Sequence, residues 1–503
     1  MTSPIPVIVT TAEMRALEIA AIAAGAPETA LMEEAGAGLA AVVRQFFPMP
    51  GTAVLFTGKG HNAGDAFVLA RHLLKAGWQV ECRAAWPEEA WRSLTQEKWA
   101  AVRDRIRPAA LNAPAPDAAP LLLVDGLLGI GAGGALLPPV RGACQALNAL
   151  RQSVPAQTLA IDIPCGLDCD SGAADPDTVR ADLTVTLGFP KQGLTKQGAA
   201  DFTGRLAWVP LEAIPAPDNI ETRERWITPE TLRPLLKERP FSMHKGQAGR
   251  VGIIAGSRGL TGAARLAATA AATAGGGLVT LFCPLDVYEI LAAACPPEIM
   301  VRPVNSCLEV MDFPLDAIGV GPGMGPAPVP YLAALLQHDP RPVVVDADAL
   351  NAMAAHRVSL VGRSGGPRLL TPHPGELARL TAAFTPQAPG YAFTLAAQQY
   401  VAVLSKSARS TVVEAGRSAA CNTSGHPCMA RGGMGDVLTG MMSTFAAQGM
   451  ALADAAALGS WLIGHAAEIA QRSGSGAPED FSASQLIAHL GHALTSLRRP
   501  GTR

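Results

Sequence analysis

Short apolar segments recur along the chain, and most are followed at once by a turn that contains glycine or an acidic residue. Segments 53–56, 121–124 and 158–161 show this pattern in the first part of the sequence. A helical stretch at 65–75, then Gly77 and another strand candidate at 79–83, follow the first of them. Strand, glycine turn, helix and strand in this order form the unit of a parallel sheet. The sequence therefore predicts an α/β fold with ligand sites at the carboxyl ends of its strands.

The chain is too long for one ordinary hydrophobic core, since it has 503 residues. Segment 210–218, PLEAIPAPD, is proline-rich and lacks hydrophobic periodicity, which is typical of a linker. The strand–turn pattern then begins again, first at 251–255, but no motif of the first part returns. We therefore expect two different α/β domains, over residues 1–220 and 226–500.

The composition excludes several classes of protein. Apolar residues make up 49% and charged residues 16%, which is the opposite of a disordered chain. The net charge of −2 provides no positive field for nucleic acid or an anionic membrane. Nine cysteines without a C-x-x-C pair argue against a disulfide framework or a structural zinc site.

The uncharged run 266–285 is about long enough to span a bilayer, but Gly275, Gly276 and Gly277 divide it. We expect a buried helix, a turn and a strand there. The start of the chain has no basic segment typical of a secretory signal. These features predict a soluble, cytoplasmic protein.

Three polar turns follow strand candidates in the first part: G-K-G-H-N-A-G-D at 58–65, D-G-L-L-G-I-G at 125–131 and D-I-P-C-G at 162–166. Glycines let the backbone approach a ligand, and the N–H groups at a helix start suit phosphate. Carboxylates at strand ends can bind a cation or act as a base, although a single Asp can equally cap a helix.

Together these turns resemble the motifs of the YjeF N-terminal family, the epimerases of hydrated NAD(P)H, which are G-x-G-N-N-G-G-D-G, D-A-L-F-G-T-G and D-I-P-S-G. The resemblance implies a Rossmann-like domain with Asp162 at the catalytic position and K⁺ at the positions of Asn62, Asp125 and Cys165. The implied dinucleotide contacts are Asp162 and the residues of two loops: His61, Asn62, Ala63, Gly64, Asp65, Gly129, Ile130, Gly131, Ala132, Gly133, Gly134 and Ala135.

The most specific signal in the second part is M-A-R-G-G-M-G-D-V-L-T-G at 429–440. Three glycines and Asp436 precede an uncharged helix, so N–H groups and the helix dipole can gather the charge of a phosphoryl group. An Asp at this point can accept the proton of an acceptor hydroxyl. The alternative is a glycine-rich helix cap whose Asp complements the dipole.

Further motifs follow strand candidates, namely G-P-G-M-G at 321–325, D-A-D-A-L-N at 346–351 and L-T-P-H-P-G-E at 370–376. With H-K-G-x-x-G-x-V at 244–251, they resemble the ribokinase-like family of ADP/ATP-dependent dehydratases of hydrated NAD(P)H. The resemblance implies a ribokinase-like α/β domain that uses Mg²⁺ with ADP or ATP.

The second resemblance also implies roles for individual residues. Asp436 would be the base, and the hydrated substrate would contact Asp436, Ala263 or Ala264, Gly323 or Gly325, and His373. The implied nucleotide contacts are Lys406, Ser407, Ala408, Arg409, Ser410, Gly432, Gly433 and Gly435. The register of 404–411 against the family's L-K-G-x-x-T is ambiguous.

Both resemblances together imply repair of hydrated NAD(P)H, with epimerisation of its R and S forms and dehydration of the S form. They also imply a homo-oligomer whose ligands are small molecules. Two alternatives remain open. The second domain can be a ribokinase-like small-molecule kinase, and the first can be a non-catalytic Rossmann-like binding or oligomerisation module.

Overall fold

The computed structural model describes residues 5–117, 119–130, 135–326, 329–388, 390–474 and 477–499. The chain divides into two compact units, Met1–Trp226 and Ile227–Arg503. Each unit is built on a largely parallel sheet with helices, so the predicted α/β class is confirmed. Within the described ranges, no helix combines the length and the apolar character needed to cross a bilayer.

The first unit contains a seven-stranded parallel sheet in the order β3-β2-β1-β4-β5-β6-β7. The strands are β1 (Thr52–Thr57), β2 (Gln79–Ala84), β3 (Arg107–Pro108), β4 (Leu121–Gly126), β5 (Gln157–Ile161), β6 (Leu183–Leu187) and β7 (Arg205–Val209). The helices are α1 (Thr11–Ala23), α2 (Glu28–Phe46), α3 (His61–Lys75), α4 (Ser93–Ala100), α5 (Pro138–Ser153) and α6 (Ala200–Thr203).

The strand order places the first candidate site at a topological switch point. The chain proceeds from β1 outward to β2 and β3, and β4 then returns to the opposite side of β1. Ligands of open α/β sheets bind at the carboxyl ends of strands where the order reverses in this way. The turns after β1 and β4 carry the first two motifs.

Helix α3 begins at His61 rather than at Asp65, the predicted start. Gly60 has an extended backbone and forms the N-cap, so the polar residues that follow it already belong to the helix. Strands β3 and β7 were not predicted, because β3 has two residues and β7 is only partly buried. Segment 210–218 contains no helix or strand, and the division between the units follows it.

The second unit has a ten-stranded sheet in the order β11-β10-β9-β12-β13-β14-β15-β16-β17-β8, parallel from β11 to β15 and antiparallel from β15 to β17. The strands are β8 (Arg225–Ile227), which spans the division, β9 (Arg250–Ile254), β10 (Leu278–Cys283), β11 (Ile299–Pro303), β12 (Ala317–Val320), β13 (Val343–Val345), β14 (Arg368–Leu370), β15 (Ala402–Ser405), β16 (Thr411–Glu414) and β17 (Ala420–Asn422).

The helices of this unit cover the sheet, and β9 and β12 form its switch point, because β10 and β11 lie on one side of β9 and β12 on the other. The helices are α7 (Pro229–Leu232), α8 (Thr261–Thr273), α9 (Leu285–Ala294), α10 (Val329–His338), α11 (Ala347–His356), α12 (Pro374–Phe384), α13 (Ala392–Gln399), α14 (Met434–Ala447), α15 (Leu452–Arg472) and α16 (Ala483–Arg498).

The uncharged run 266–285 forms the end of α8, a turn and β10, as predicted. Helix α8 packs closely against α14, the helix that follows the glycine motif. Gly440 allows this approach, since a Cβ on it would lie 2.0 Å from the carbonyl oxygen of Ala267. The packing of these two helices thus fixes the start of α14 relative to the sheet.

We expect Gly440→Ala to lower the free energy of unfolding by about 1–3 kcal/mol, because its methyl group overpacks the α8 contact. Gly491 in α16 is the control, since no atom lies within 4 Å of the position that a Cβ on it would take. Gly491→Ala should therefore be neutral or stabilise by up to ~1 kcal/mol, as alanine favours a helix. Urea unfolding measures both values, and equal stability of the two variants would contradict the close approach.

Candidate active sites

The first site lies at the carboxyl ends of β1, β4, β5 and β6. Asp125 belongs to β4, where it pairs with Phe56 of β1 and Ala160 of β5. Asp162 follows β5 directly, and its backbone is left-handed, with φ of 67°. A non-glycine residue in this region carries backbone strain of about 1–3 kcal/mol, and such strain is concentrated at functional sites.

The two carboxylate oxygens of Asp162 have different surroundings. Oδ1 accepts hydrogen bonds from Thr186 Oγ1 and Leu187 N, both at 3.1 Å, and from Lys191 Nζ at 2.5 Å. Oδ2 lies 3.6 Å from the position that a Cβ on Gly129 would take. No hydrogen bond to Oδ2 comes from the described residues, so this oxygen can meet a ligand beside the Gly129 loop.

Lys191 is a site residue that the sequence analysis missed. It is 1% exposed and also donates to Thr186 Oγ1 at 3.2 Å and to Leu187 O at 2.6 Å. The turn after β6, G-F-P-K-Q-G at 188–193, contains no acidic residue and is not among the motifs described above. The available signal was a single charged residue in a turn bounded by glycines.

Three carboxyl groups meet near this lysine. Burial and the neighbouring carboxylate of Asp162 raise the pKa of Asp65 well above its ordinary value. Burial also raises the pKa of Glu18 in α1. Asp162 is the one of the three that contacts Lys191 within hydrogen-bond distance. Burial without a partner cation favours the neutral form of a carboxyl group, so the site combines carboxyl groups of different character.

Asn62 lies in the first turn of α3 and faces the same loop. Its Oδ1 is 3.4 Å from the position of a Cβ on Gly129. Its Nδ2 is buried and lacks a hydrogen-bond partner among the described residues. The side-chain amide therefore has bonding capacity to spare for a ligand.

Asp125 is 0% exposed, and burial raises its pKa to about 7. Its oxygens accept hydrogen bonds from Cys165 N at 2.7 Å and Leu127 N at 3.1 Å. The thiol of Cys165 instead interacts with that of Cys144, and this contact together with burial raises the pKa of Cys165 well above its ordinary value. Cys165 thus serves Asp125 through its peptide group, whereas its protonated thiol packs in an apolar cluster.

The remaining predicted residues of this unit contribute in different ways. The methyl group of Ala63 is fully buried in the core, so only its backbone can approach a ligand. His61 is half-buried, and burial and Arg92 lower its pKa. Gly64 is buried, Ile130 accepts from Arg15 through its carbonyl group, and Ala135 is exposed. Four predicted contacts, Gly131, Ala132, Gly133 and Gly134, lie outside the described residues.

The second site forms around the first turn of α14. Gly433 is the N-cap and is left-handed, with φ of 93°, and Gly432 has open space around it. A Cβ on Gly435 would lie 3.4 Å from Lys406 Nζ and 3.5 Å from Asp346 Oδ2. The free N–H groups of this turn and the ammonium group of Lys406 therefore surround one place, which suits an anion.

An ion pair between Lys406 and the buried Asp346 supports this place from the sheet. Lys406 Nζ lies 2.6 Å from Asp346 Oδ1, and Thr439 Oγ1 donates to Asp346 Oδ2 at 2.8 Å. Lys406 follows β15 directly, and its N–H donates to Pro372 O at 2.9 Å. Lys406 therefore lies at the strand end, within the segment 404–411 whose register is ambiguous.

The rest of the loop after β15 is a tight turn. Ser407 N donates to Ser410 Oγ at 3.1 Å, and Ser410 Oγ donates to Ser407 O at 2.9 Å. Arg409 is buried, and its N–H donates to Ser407 Oγ at 3.1 Å. Ala408 is exposed at the turn. These bonds organise the loop beside the ammonium group of Lys406.

Asp436 is largely buried in the first turn of α14. Burial is the largest cause that raises its pKa to about 6, and Asp346 and Asp348 raise it further, whereas Lys406 lowers it. A carboxylate with this pKa is ionised at neutral pH and still basic enough to accept a proton in a transition state.

Turns from three strands complete this site. His373 caps α12, its Nδ1 accepts from Gly375 N at 3.0 Å, and its side chain is 53% exposed, so it can contact a ligand. Gly325 N donates to Asp348 Oδ2 at 2.8 Å. The Cβ of Ala263 lies 2.9 Å from the position that a Cβ on Gly323 would take, whereas Ala264 is fully buried in the core. Of the two alanines, Ala263 is thus the accessible one.

Comparison with known proteins shows which families the two units resemble. A family profile described as NAD(P)H-hydrate dehydratase matches residues 251–485, and one described as YjeF-related protein N-terminus matches 28–193. The bifunctional NAD(P)H-hydrate repair enzyme of Moorella thermoacetica is 36% identical, over 92% of each chain. The enzyme of that name from Thermosynechococcus vestitus is 34% identical, over 98% of each.

The bifunctional NAD(P)H-hydrate repair enzyme of Escherichia coli is 33% identical over 87% of this chain and 84% of its own. Among solved structures, the ADP/ATP-dependent NAD(P)H-hydrate dehydratase of Bacillus subtilis is 25% identical and covers 56% of this chain and 100% of its own, with a TM-score of 0.46. The extent and identity of the full-length matches establish that this chain belongs to the family of bifunctional NAD(P)H-hydrate repair enzymes.

Proposed function

We propose that the second unit dehydrates hydrated NAD(P)H at the expense of ADP or ATP, with Asp436 as its base, and that the first unit interconverts the R and S epimers through Asp162. The observation that carries the proposal is the meeting of Asp436, Lys406 and the glycines of the α14 turn at one place. Phosphoryl transfer to a hydroxyl needs a proton acceptor and fixed positive charge together.

In the proposed dehydration, the ring hydroxyl oxygen of the substrate bonds to the terminal phosphorus of the nucleotide. The bond from that phosphorus to the bridging oxygen breaks, and Asp436 accepts the hydroxyl proton. The phosphate then leaves the ring carbon with its bonding electrons, and loss of a proton from the adjacent carbon restores the ring double bond. Phosphorylation thus converts a poor leaving group into a good one.

The fixed groups of the site act on the charge that develops. Lys406 and the N–H groups of Gly433 and Gly435 lie where the transferred phosphoryl group would sit, and such preorganised donors stabilise a transition state without reorganisation. Asp346 holds the lysine in place from the buried side. His373 and Ala263 line the accessible side, where we place the nicotinamide ring.

The donor set fits a Mg²⁺ ion that enters with the nucleotide. Among the described residues, no group of three or more acidic, histidine or cysteine side chains could hold a metal ion alone. Asp348 and Glu376 are the nearby carboxyl groups, and Mg²⁺ commonly combines one or two carboxylates with phosphate oxygens. When bound, it supplies neutralising charge for the phosphates.

For the first unit, we propose that Asp162 Oδ2 accepts the proton of the ring hydroxyl while the bond from the hydroxyl-bearing carbon to the ring nitrogen breaks and leaves its electrons on the nitrogen. The nitrogen then re-forms this bond on the other face of the resulting carbonyl group, and the proton returns to the oxygen. Asp162 Oδ2 faces the Gly129 loop, whereas Oδ1 is held by three donors. The Asn62 amide and the start of α3 lie on the same side and would hold the dinucleotide.

The first unit also fits a K⁺ ion at Asn62 and Asp125. Asp125 is a fully buried carboxyl group, and the amide oxygen of Asn62 lies 3.4 Å from the position that a Cβ on Gly129 would take. Carboxylate and amide oxygens suit a hard cation, whereas a protonated thiol does not, so we leave the Cys165 thiol out of this site. When bound, K⁺ supplies charge that favours the ionised form of Asp125.

We further propose that the protein works in the cytoplasm as a homo-oligomer. All nine cysteines lie in the described part of the chain and are free thiols, which supports a reducing compartment. The oligomer follows from family membership alone, and its test is the mass of the particle in solution.

The first prediction concerns the two activities. A mixture of R and S hydrates with ADP or ATP should be restored completely, as measured by the near-ultraviolet absorbance of the dihydronicotinamide ring. Asp436→Asn should abolish the restoration of NAD(P)H but retain epimerisation. Asp162→Asn should restore the S fraction first, and the R fraction should then be restored only as fast as it epimerises spontaneously. A stable phosphorylated product without restored NAD(P)H would instead indicate a small-molecule kinase. If the wild-type protein interconverts the R and S epimers only at the spontaneous rate, the first unit is not catalytic.

The second prediction concerns pH. Because Asp436 must be ionised to accept a proton and its pKa is about 6, kcat/KM for dehydration should fall as the pH drops below that value. Lys406→Met removes a charge that lowers this pKa. The acid limb of the pH profile, the range in which kcat/KM falls with decreasing pH, should therefore move upward by roughly one pH unit, and kcat/KM near neutral pH should fall by about 10–100-fold. The exposed Lys237→Met is the control, and an unchanged limb in the Lys406 variant would contradict the arrangement.

The third prediction concerns K⁺. The pKa of Asp125 is raised from 3.8 to about 7 by folding, so its contribution to stability is present below the lower value and is lost as the pH rises through the higher one. K⁺ should offset this loss, by about 2.7 kcal/mol at a hundredfold excess over its dissociation constant. Calorimetry in K⁺ and Na⁺ salts should show that K⁺ stabilises the protein and that this stabilisation grows with pH. Asn62→Ala should remove the stabilisation, whereas the exposed Asn112→Ala should retain it. Equal melting in both salts would refute the site.

A further inference from the structure

The most unusual charge in the first unit is the ammonium group of Lys191. It is 1% exposed, and a charge at this depth requires a partner. Three oxygens surround it: Asp162 Oδ1 at 2.5 Å, Leu187 O at 2.6 Å and Thr186 Oγ1 at 3.2 Å. The lysine therefore donates its three N–H groups to two oxygens at the end of β6 and to one carboxylate.

Three hydrogen-bond donors, one of them Lys191, determine how Asp162 is held. Thr186 Oγ1, Leu187 N and Lys191 Nζ all donate to Oδ1, which fixes the plane and the rotation of the carboxylate. The second oxygen, Oδ2, lies 3.6 Å from the position that a Cβ on Gly129 would take and accepts no hydrogen bond from the described residues. Of the three donors, the lysine alone carries a charge and can favour the carboxylate over the carboxylic acid.

We propose that Lys191 is the positioning residue of the epimerase, which holds Asp162 ionised and directs its Oδ2 at the substrate. This inference rests on the proposed role of Asp162. Lys191 does not face the Gly129 loop itself but acts through the aspartate. Neither the motifs of the first unit nor the predicted contacts included this residue.

Other titratable groups around the pair make the lysine necessary. Asp65 from α3 and Glu18 from α1 add negative charge when ionised, and burial raises the pKa of both. Burial and Asp162 raise the pKa of Cys169 to about 12, so this thiol stays neutral. Arg15 acts on Glu18 from the surface of α1. Without Lys191, the carboxylate of Asp162 would lie among other buried acidic side chains with no cation in contact with it.

A purely structural role for Lys191 makes a different prediction. Its bond to Leu187 O also ties the turn 188–191 to the end of β6, so loss of the lysine can lower stability. A structural loss reduces the amount of folded enzyme but leaves the pH dependence of each folded molecule unchanged. The position of the acid limb therefore separates the two roles.

The experiment uses the full chain without ADP or ATP, so that the dehydratase is silent and chromatography follows R to S conversion alone. Lys191→Met should lower kcat by about 10²–10⁴-fold with little change in KM, and should move the acid limb upward by at least about one pH unit. Lys191→Arg keeps the charge and should restore the limb to its wild-type position. Lys196→Met, on the same segment but partly exposed, should behave as wild type.

Thr186→Val is the second variant, because it keeps the shape and the lysine but removes one donor. It should lower kcat in the same direction by a smaller factor, and it replaces Lys191→Met if that variant does not fold. If Lys191→Met has the wild-type rate and acid limb while Asp162→Asn is inactive, the inference about Lys191 is wrong and the role of Asp162 stands. The same result in Thr186→Val leads to this conclusion if Lys191→Met does not fold. A full rate in Asp162→Asn would overturn the role of Asp162 and this inference with it.

Discussion

Burial of a parallel sheet on both faces is the constraint on which the rest of this structure depends. Strands β1, β4, β12 and β13 are buried along their whole length, so their side chains pack against helices on either side. Functional polar groups are then confined largely to the strand ends, and the parallel direction gathers the carboxyl ends at one edge. The catalytic candidates of both units lie at such an edge because the rest of each strand is covered by apolar packing.

Each unit then places one lysine in contact with one buried aspartate. In the first unit Lys191 holds Asp162, the proposed proton carrier itself. In the second unit Lys406 holds Asp346, and the proposed base Asp436 is a neighbour of that pair. The difference follows from the chemistry proposed for each site, since the second lysine must also meet a phosphoryl group. A buried pair of this kind is costly to break from one side, because the remaining charge has no partner.

Local sequence was sufficient for much of the fold and part of each site. Apolar runs predicted the central strands β1, β4 and β5 to within two residues at each end, because a strand buried on both faces has a continuous apolar signal. Strands β3 and β11 are short or largely exposed edge strands and have no such signal. The start of α3 was misplaced because its polar first turn resembles a loop, although Gly60 already caps it.

The glycine turns and the aspartates that follow the strands are local features, so the order of residues alone located Asp125, Asp162 and Asp436. The partners of these groups depend on which strands become neighbours. Lys191 reaches Asp162 because β6 pairs with β5, and the Cys165 thiol turns to Cys144 because α5 packs behind its turn. Such contacts join residues that are distant in the chain, and sequence spacing cannot encode them before the sheet order exists.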